Sequence, residues 1–195
     1  TNIAAMTVWA YSDKRGKTLD LHLKAKNAII SGGNKGLGAA SAMALAGEGA
    51  NVFLTARNAD DLQHTADAIR TAHGVKVGHL AIDITEDGAG DRIVAAAVEA
   101  LGEIDILVNA AGAARGGVFH VIEDQVWRDA FELKFLGAVK LTRALVPHMQ
   151  ARKYGRIVNL IGMFGREPAK QALPASAVNA AFMAVNKGLS QLYGG

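Results

Sequence analysis

Ser31-Gly32-Gly33-Asn34-Lys35-Gly36-Leu37-Gly38 stands between the apolar run Asn27-Ala28-Ile29-Ile30 and an alanine-rich stretch of helical character. A buried strand that turns into a helix over an anion needs residues without a Cβ where a side chain would clash. It also leaves the first helical N–H groups unpaired and aimed at the negative charge. Gly32, Gly36 and Gly38 are spaced G-x-x-x-G-x-G rather than the G-x-G-x-x-G of the older dinucleotide fingerprint. A second polar-and-glycine turn, Asn109-Ala110-Ala111-Gly112, follows the apolar run Ile106-Leu107-Val108. The first loop fits the chemistry of seating a nucleotide pyrophosphate; the second, on its residues alone, reads as a tight turn after a buried strand.

Loops of this kind work only if buried strands bring them together. Apolar runs and helical patterns alternate along the chain, the signature of a parallel sheet with crossover helices. Strands are expected over about 27–31, 51–55, 75–82, 104–108 and 156–161. Helices are expected over about 35–48, closed by Gly49, and from Asn58, with Leu62, Ala66 and Ile69 on the buried face. A third helix is capped by Thr85, carries Ile93, Ala97 and Leu101 on one face and ends at Gly102. A long helical region over about 123–153 contains Trp127, Phe131, Phe135 and Val139, and Pro147 should bend or restart it. The last helix is expected over 175–192, and Ser12–Thr18 reads as a polar linker. Right-handed crossovers give an α/β, doubly wound parallel sheet of strand order 3-2-1-4-5, whose crevice lies outside the carboxyl ends of strands one and four. Both glycine-bearing loops fall there.

Composition narrows the function classes. The chain has 195 residues, 50% hydrophobic and 20% charged, ordinary for one domain with a full core. Its 21 Lys and Arg against 18 Asp and Glu give a formal charge of +3, without the basic run of a nucleic-acid footprint. With no cysteine there is no disulfide, thiolate metal site or thiol nucleophile, and a cytoplasmic location is the simplest expectation. No apolar run reaches the length of a membrane span, and His22, His64, His73, His79, His120 and His148 lack metal-ligand spacing. No metal, nucleic-acid or membrane partner is therefore expected.

Asp83-Ile84-Thr85, Ile106 through Gly112, and Gly155-Arg156-Ile157-Val158-Asn159-Leu160 follow the glycine loop in order. With that loop they make the chain resemble the short-chain dehydrogenase/reductase family from about Leu21 to about Leu192. Ser31 stands for the Thr of the family's T-G-x-x-x-G-x-G, and Asn109-Ala110-Ala111-Gly112 for its N-N-A-G. The resemblance implies a Rossmann-like NAD(P)-binding domain over 21–195 behind an N-terminal extension of residues 1–20, with the family's usual C-terminal strands and its V-N-x-x-x-P-G segment missing from this sequence. It implies cofactor contacts from Ser31, Gly32, Gly33, Asn34, Lys35, Gly36, Leu37, Gly38, Arg57, Asp83, Ile84, Asn109, Ala110, Ala111 and Gly112. Arg57 follows the second strand where a carboxylate would bind the ribose diol, and Lys35 adds a second cation. Charge-assisted bonds from this pair favour a dianionic phosphate, so NADP(H) is preferred and NAD(H) possible.

The family's catalytic motifs are another matter. Its Y-x-x-x-K-A-A falls on Ala175 through Ala181, which puts Ala175 at the Tyr and Asn179 at the Lys. Its V-N-I-S-S puts Gly162 at the Ser, and its V-N-x-x-G puts Lys134 at the Asn. None of the three tyrosines, Tyr11, Tyr154 and Tyr193, has a lysine four residues on. Substitute proton or oxygen handlers are Ser176, Asn179, Lys134 and Asn159; a lysine joins such a list because desolvation would lower its pKa. The expected function is a divergent oxidoreductase that moves hydride to or from an unknown carbonyl or alcohol. The alternative is an inactive nucleotide-binding or assembly protein on the same fold. A homodimer or homotetramer is expected, packed through the large apolar residues around Trp127–Val139 and the last helix.

Overall fold

The computed structural model describes residues 20–113 and 115–194. The N-terminal extension up to residue 19, with its Ser12–Thr18 linker, lies outside the described residues.

Five strands, β1 (Asn27–Ser31), β2 (Asn51–Ala56), β3 (Val77–Ala81), β4 (Ile106–Asn109) and β5 (Arg156–Asn159), form one parallel sheet of order β3-β2-β1-β4-β5. Among the described residues six α-helices connect or follow them: α1 (Gly36–Gly47), α2 (Ala59–His73), α3 (Ala89–Leu101), α4 (Asp124–Ala130), α5 (Gly137–Arg152) and α6 (Leu173–Tyr193). The doubly wound topology read from the alternation of apolar runs is the one observed. Its register pairs Ser31 with Thr55 on one side and with Asn109 on the other, and Asn109 with Asn159. A row of short polar side chains thus crosses the sheet at its carboxyl end, where the crevice is expected.

Because side chains alternate along a strand, the two faces of the sheet hold separate cores. Ile29 and Leu107 point toward α3 and α5, where Ile93, Ala97, Leu141 and Leu145 are fully buried. Ala28, Ile30, Ile106 and Val108 point the other way, against Ala42, Leu62, Ala66 and Ile69 of α1 and α2. Asn58 caps α2 as its position requires, its Oδ1 accepting from the Asp61 N–H at 2.9 Å. Gly49 and Gly102, at φ +82 and +86, close the turns after α1 and α3.

Two local expectations are corrected. Thr85 does not cap the third helix: the Asp83 carboxylate takes the Thr85 N–H at 2.9 Å and its hydroxyl at 2.8 Å, and α3 starts only after Gly88, at φ +70. Pro147 does not restart the long helix either, and α5 runs through it from Gly137 to Arg152. A proline inside a helix removes one hydrogen bond and crowds one carbonyl, but Leu145, Val146 and Met149 around it are buried and hold the segment in place. The interruption comes earlier, where Phe131–Leu136 widens into a π-helix between α4 and α5. Here the chain changes partners. Phe135 packs edge-on against both Phe131 and Phe182 of α6, each at 6.1 Å, whereas α5 beyond it lies on α3 and the sheet.

Helices α3 and α5 touch backbone to backbone at Gly90, where a Cβ would stand 2.7 Å from the Lys140 carbonyl oxygen. Gly90→Val should therefore force the pair apart and cost about 1–3 kcal/mol. The check is a lowered urea midpoint with an unchanged slope.

Candidate functional site

At the carboxyl ends of β1 and β4 the two glycine-bearing loops are in contact. Gly32 has φ +67, and a Cβ on it would lie 2.9 Å from the Ala111 nitrogen and Cα. The Ser31 hydroxyl bridges the same gap, accepting the Ala110 and Ala111 N–H groups at 3.1 and 3.2 Å. The loop then folds on itself, since a Cβ on Gly38 would collide with the Gly32 carbonyl. Its base is pinned to the neighbouring strand: the N–H groups of Gly32 and Gly33 both donate to the Thr55 carbonyl, at 2.7 and 3.2 Å. Asn34 is held from the side, its amide donating to Asp61 at 3.3 Å and its carbonyl accepting from the Thr65 hydroxyl at 3.0 Å.

Lys35 is the N-cap residue of α1 and provides no side-chain cap. The first N–H groups of that helix consequently have no acceptor from the chain's own turn, a seat for an anion next to a backbone with no side chains in the way. Lys35, Gly36 and Leu37 are exposed around it. Arg57 leaves β2 with its guanidinium 3.9 Å from the Asp83 carboxylate. The Thr85 N–H bond holds Asp83 below its usual value of 3.8, with partial burial opposing and Arg57 adding a smaller pull. The Ile84 side chain is buried in the core against Gly137, which leaves only its backbone to face the crevice.

The row at the sheet's end continues as a hydrogen-bonded ladder. Asn109 donates to the Thr142 hydroxyl at 3.1 Å and to Asn159 Oδ1 at 2.8 Å, and Asn159 donates to Asn186 Oδ1 at 2.7 Å. It runs from α5 through β4 and β5 to α6. Asn109 Oδ1 and the Thr55 hydroxyl, both buried, have no hydrogen-bond partner among the described residues. Thr142 and Asn186 escaped the sequence reading. The available signal was an Asn ending each of two apolar strands, which in a parallel register must sit side by side.

The substitute proton handlers separate sharply. Asn179 is 4% exposed, and both ends of its amide are committed: Oδ1 accepts the Gly162 N–H at 2.8 Å and Nδ2 donates to the Ala175 carbonyl at 2.7 Å. Ser176 donates to the Ala172 carbonyl at 2.9 Å and accepts the Ala169 N–H at 3.3 Å. These two side chains hold the start of α6 onto the loop after β5. Lys134 lies in the π-helix, half-buried, with its stem across Gly112, where a Cβ would meet Lys134 Cγ and Cδ at 3.0 Å. Burial holds its ammonium below lysine's usual value of 10.5. Tyr154 sits before β5, away from the crevice, its ring 4.2 Å from the Lys26 ammonium and 5.0 Å from the Arg156 guanidinium. His120 is exposed on a short turn, and no group of three metal-binding side chains occurs among the described residues.

The comparisons with known proteins agree with this geometry. The model of the short chain dehydrogenase family matches residues 26–194. Short-chain reductase protein NovJ of Streptomyces niveus is 36% identical over 153 residues, which are 78% of this chain and 58% of that protein. The crystal structure of L-sorbose reductase from Gluconobacter frateurii, complexed with NADPH and L-sorbose, superimposes with a TM-score of 0.85 at 32% identity, covering 89% of this chain and 66% of that one. Actinorhodin polyketide ketoreductase, solved as a single-substitution variant with NADPH, gives 0.83 at 30% identity over 86% of this chain and 65% of that one. The chain thus spans less than two thirds of the length of these proteins.

If Asn179 is structural, Asn179→Ala should leave the Gly162 N–H without its acceptor and cost about 1–3 kcal/mol. Thermal unfolding of the variant beside the parent protein checks this.

Proposed function

The chain belongs to the short-chain dehydrogenase/reductase family, and from that premise we propose an NADP(H)-binding oxidoreductase with a divergent active site, acting on a carbonyl or alcohol. The observation that carries the reading is the bare-backbone cradle of Gly32, Gly36 and Gly38 under the unpaired N-terminus of α1. Side chains at Gly32 and Gly38 would close that cradle, so the residues present fit a pyrophosphate. Gly32, Gly33 and the first N–H groups of α1 would hold it, with Ala110, Ala111 and Gly112 walling the crevice. Asp83 and Arg57 stand at the adenosine end. The NADPH-bound sorbose reductase and ketoreductase structures support the same assignment by likeness.

Lys35 and Arg57 supply the preference for the phosphorylated cofactor. Lys35 is a point charge at the mouth of the loop, and Arg57 offers a fork that suits a phosphate in two directions. Its only ion-pair partner among the described residues is Asp83, at 3.9 Å, and the Arg57 side chain is itself largely exposed, so the guanidinium is free to turn toward a dianion. When bound, the nicotinamide supplies the hydride. The chain's own residues provide the row of Thr55, Ser31 and Asn109 beneath it and a crevice in which Ala175 and Gly162 offer no hydroxyl. Reduction of ordinary ketones is therefore slow: general acid–base catalysis of this kind is worth about 10²–10⁴-fold.

NADPH should bind at least about tenfold more tightly than NADH, equivalent to about 1.4 kcal/mol. Arg57→Asp should erase or reverse that ratio by exchanging an attraction for a repulsion. Fluorescence titration with both cofactors decides the matter, and equal affinities for the parent protein would contradict it.

Association of like chains belongs to the same proposal. Between α5 and α6 runs a groove of about 330 Å³ lined by Val139, Val146, Pro147, Phe182, Val185 and Leu189. Trp127, Phe131, Phe135 and Leu136 are at least half-buried, and Phe135 is already packed within the chain. The contact surface is thus the α5–α6 groove more than the Trp127–Leu136 segment. A second copy presenting the same pair of helices would bury it by two-fold symmetry. Light scattering at micromolar concentration should give a dimeric or tetrameric mass, and Val185→Glu, at a groove residue that is not part of the core, should lower it to that of the monomer.

A further inference from the structure

Of the polar side chains at the carboxyl end of β4 and β5, most are spent on the fold. Asn179 and Ser176 hold backbone, and Asn109, Asn159 and Asn186 hold one another. Lys134 is the exception. Its stem crosses Gly112, two residues beyond Ala110 and one beyond Ala111, which abuts Gly32 of the phosphate loop. The ammonium therefore starts from the wall of the crevice. It is carried by a π-helical turn, a wide and locally costly conformation that recurs at functional sites.

Resting on the oxidoreductase reading above, we propose that Lys134 is the catalytic acid of this protein, handing its Nζ proton to the substrate oxygen during carbonyl reduction. The carbonyl carbon gains a hydride and its two electrons from the reduced nicotinamide, the C=O π pair moves onto oxygen, and that oxygen takes the proton. The products are the alcohol, the oxidised nicotinamide and a neutral Lys134, which recovers its proton from water.

The surroundings suit that work. No carboxylate comes within ion-pair distance of Lys134 among the described residues. Glu132 of the same turn is engaged by Lys140 at 3.8 Å. On α4, Asp124 pairs with Arg128 at 3.6 Å, and Asp129 accepts from Gln125 at 2.7 Å. On α5, Lys140 donates to the Thr85 carbonyl, and Arg143, His148 and Arg152 lie farther along the helix. Lys187 is the one charged residue of α6, and Arg115 and His120 of the loop after β4 are exposed. Desolvation without a counter-charge disfavours the charged form, which brings a lysine toward the range where a general acid works. For folding the sign is the same: the unfolded chain binds the proton more tightly, so the penalty for burying this cation fades as pH rises toward 10.5.

The test uses the intact protein with NADPH and three carbonyl probes, 9,10-phenanthrenequinone, L-sorbose and ethyl acetoacetate. NMR titration of protein labelled at the lysine side chains, with Lys134→Gln identifying the resonance, should show Lys134 titrating below its fellow lysines. Slow turnover of at least one probe should fall as pH rises through that same midpoint. Lys134→Met should lower kcat by about 10²-fold or more while leaving NADPH affinity within about threefold. Lys134→Arg should fail equally, because its charge cannot be released as a proton at these pH values. Turnover that survives Lys134→Met with an unmoved pH profile, or a Lys134 midpoint equal to the other lysines, overturns the assignment and leaves the oxidoreductase reading intact. NADPH binding with no turnover of any probe by the parent protein overturns both.

Discussion

Backbone meets backbone where the loop after β1 crosses the loop after β4, and most of the site follows from that approach. Gly32 lies so close to Ala111 that a single methyl group between them would need space the structure lacks. The Ser31 hydroxyl fastens the two loops from beneath by taking two consecutive N–H groups. Once they are joined, α1 can start only over the crevice, and its unpaired N–H groups become part of the site rather than of the solvent boundary. The register of the sheet reinforces this. Thr55, Ser31, Asn109 and Asn159 line up because four parallel strands end together.

The polar ladder from Thr142 to Asn186 has a different task. It joins two helices and two strands at the carboxyl end of the sheet through side chains alone, and an interior polar network that is mostly satisfied specifies one arrangement more sharply than apolar packing would. Asn109 Oδ1 is its open valence, buried and without a partner among the described residues. Beside it the π-helix lets one long helical region serve two neighbours, α4 and Phe135 against α6, α5 against α3. Such a widening shifts side chains around the helix axis, and Lys134 is among those it carries.

Electrostatics divides the crevice into two unequal halves. Around the glycine loop and the end of β2, Arg57, Lys35 and Asp83 are exposed or partly exposed, so their interactions are modest and screened by salt. On the opposite side, the Asn179 amide closes local backbone bonds, and the half-buried ammonium of Lys134 has no such commitment among the described residues. A fold whose glycine loop leaves the start of α1 open, while the amide of Asn179 is committed to backbone, is consistent with function residing in sites rather than in topology.

Strand order, the apolar faces of α2 and α3 and the Asn58 cap were legible in the sequence, because each depends on residues within a few positions of one another. Leu62, Ala66 and Ile69 must share a face wherever the helix lies, and a glycine loop between an apolar strand and a helix has few other uses. The errors were of another kind. Thr85 lost its capping role to a turn closed by Asp83, and Pro147 was tolerated because buried neighbours on both sides outweigh one missing donor. The commitment of Asn179 and Ser176 to backbone, and the course of Lys134 across Gly112, depend on contacts between segments far apart in the chain. Periodicity and spacing carry no information on such contacts. The sequence by itself determined the order of the sheet, the place of the glycine loop between β1 and α1, and that none of the three tyrosines has a lysine four residues on. Which of the remaining polar groups is free to act was decided only in the tertiary structure, since a side chain's availability depends on what packs against it.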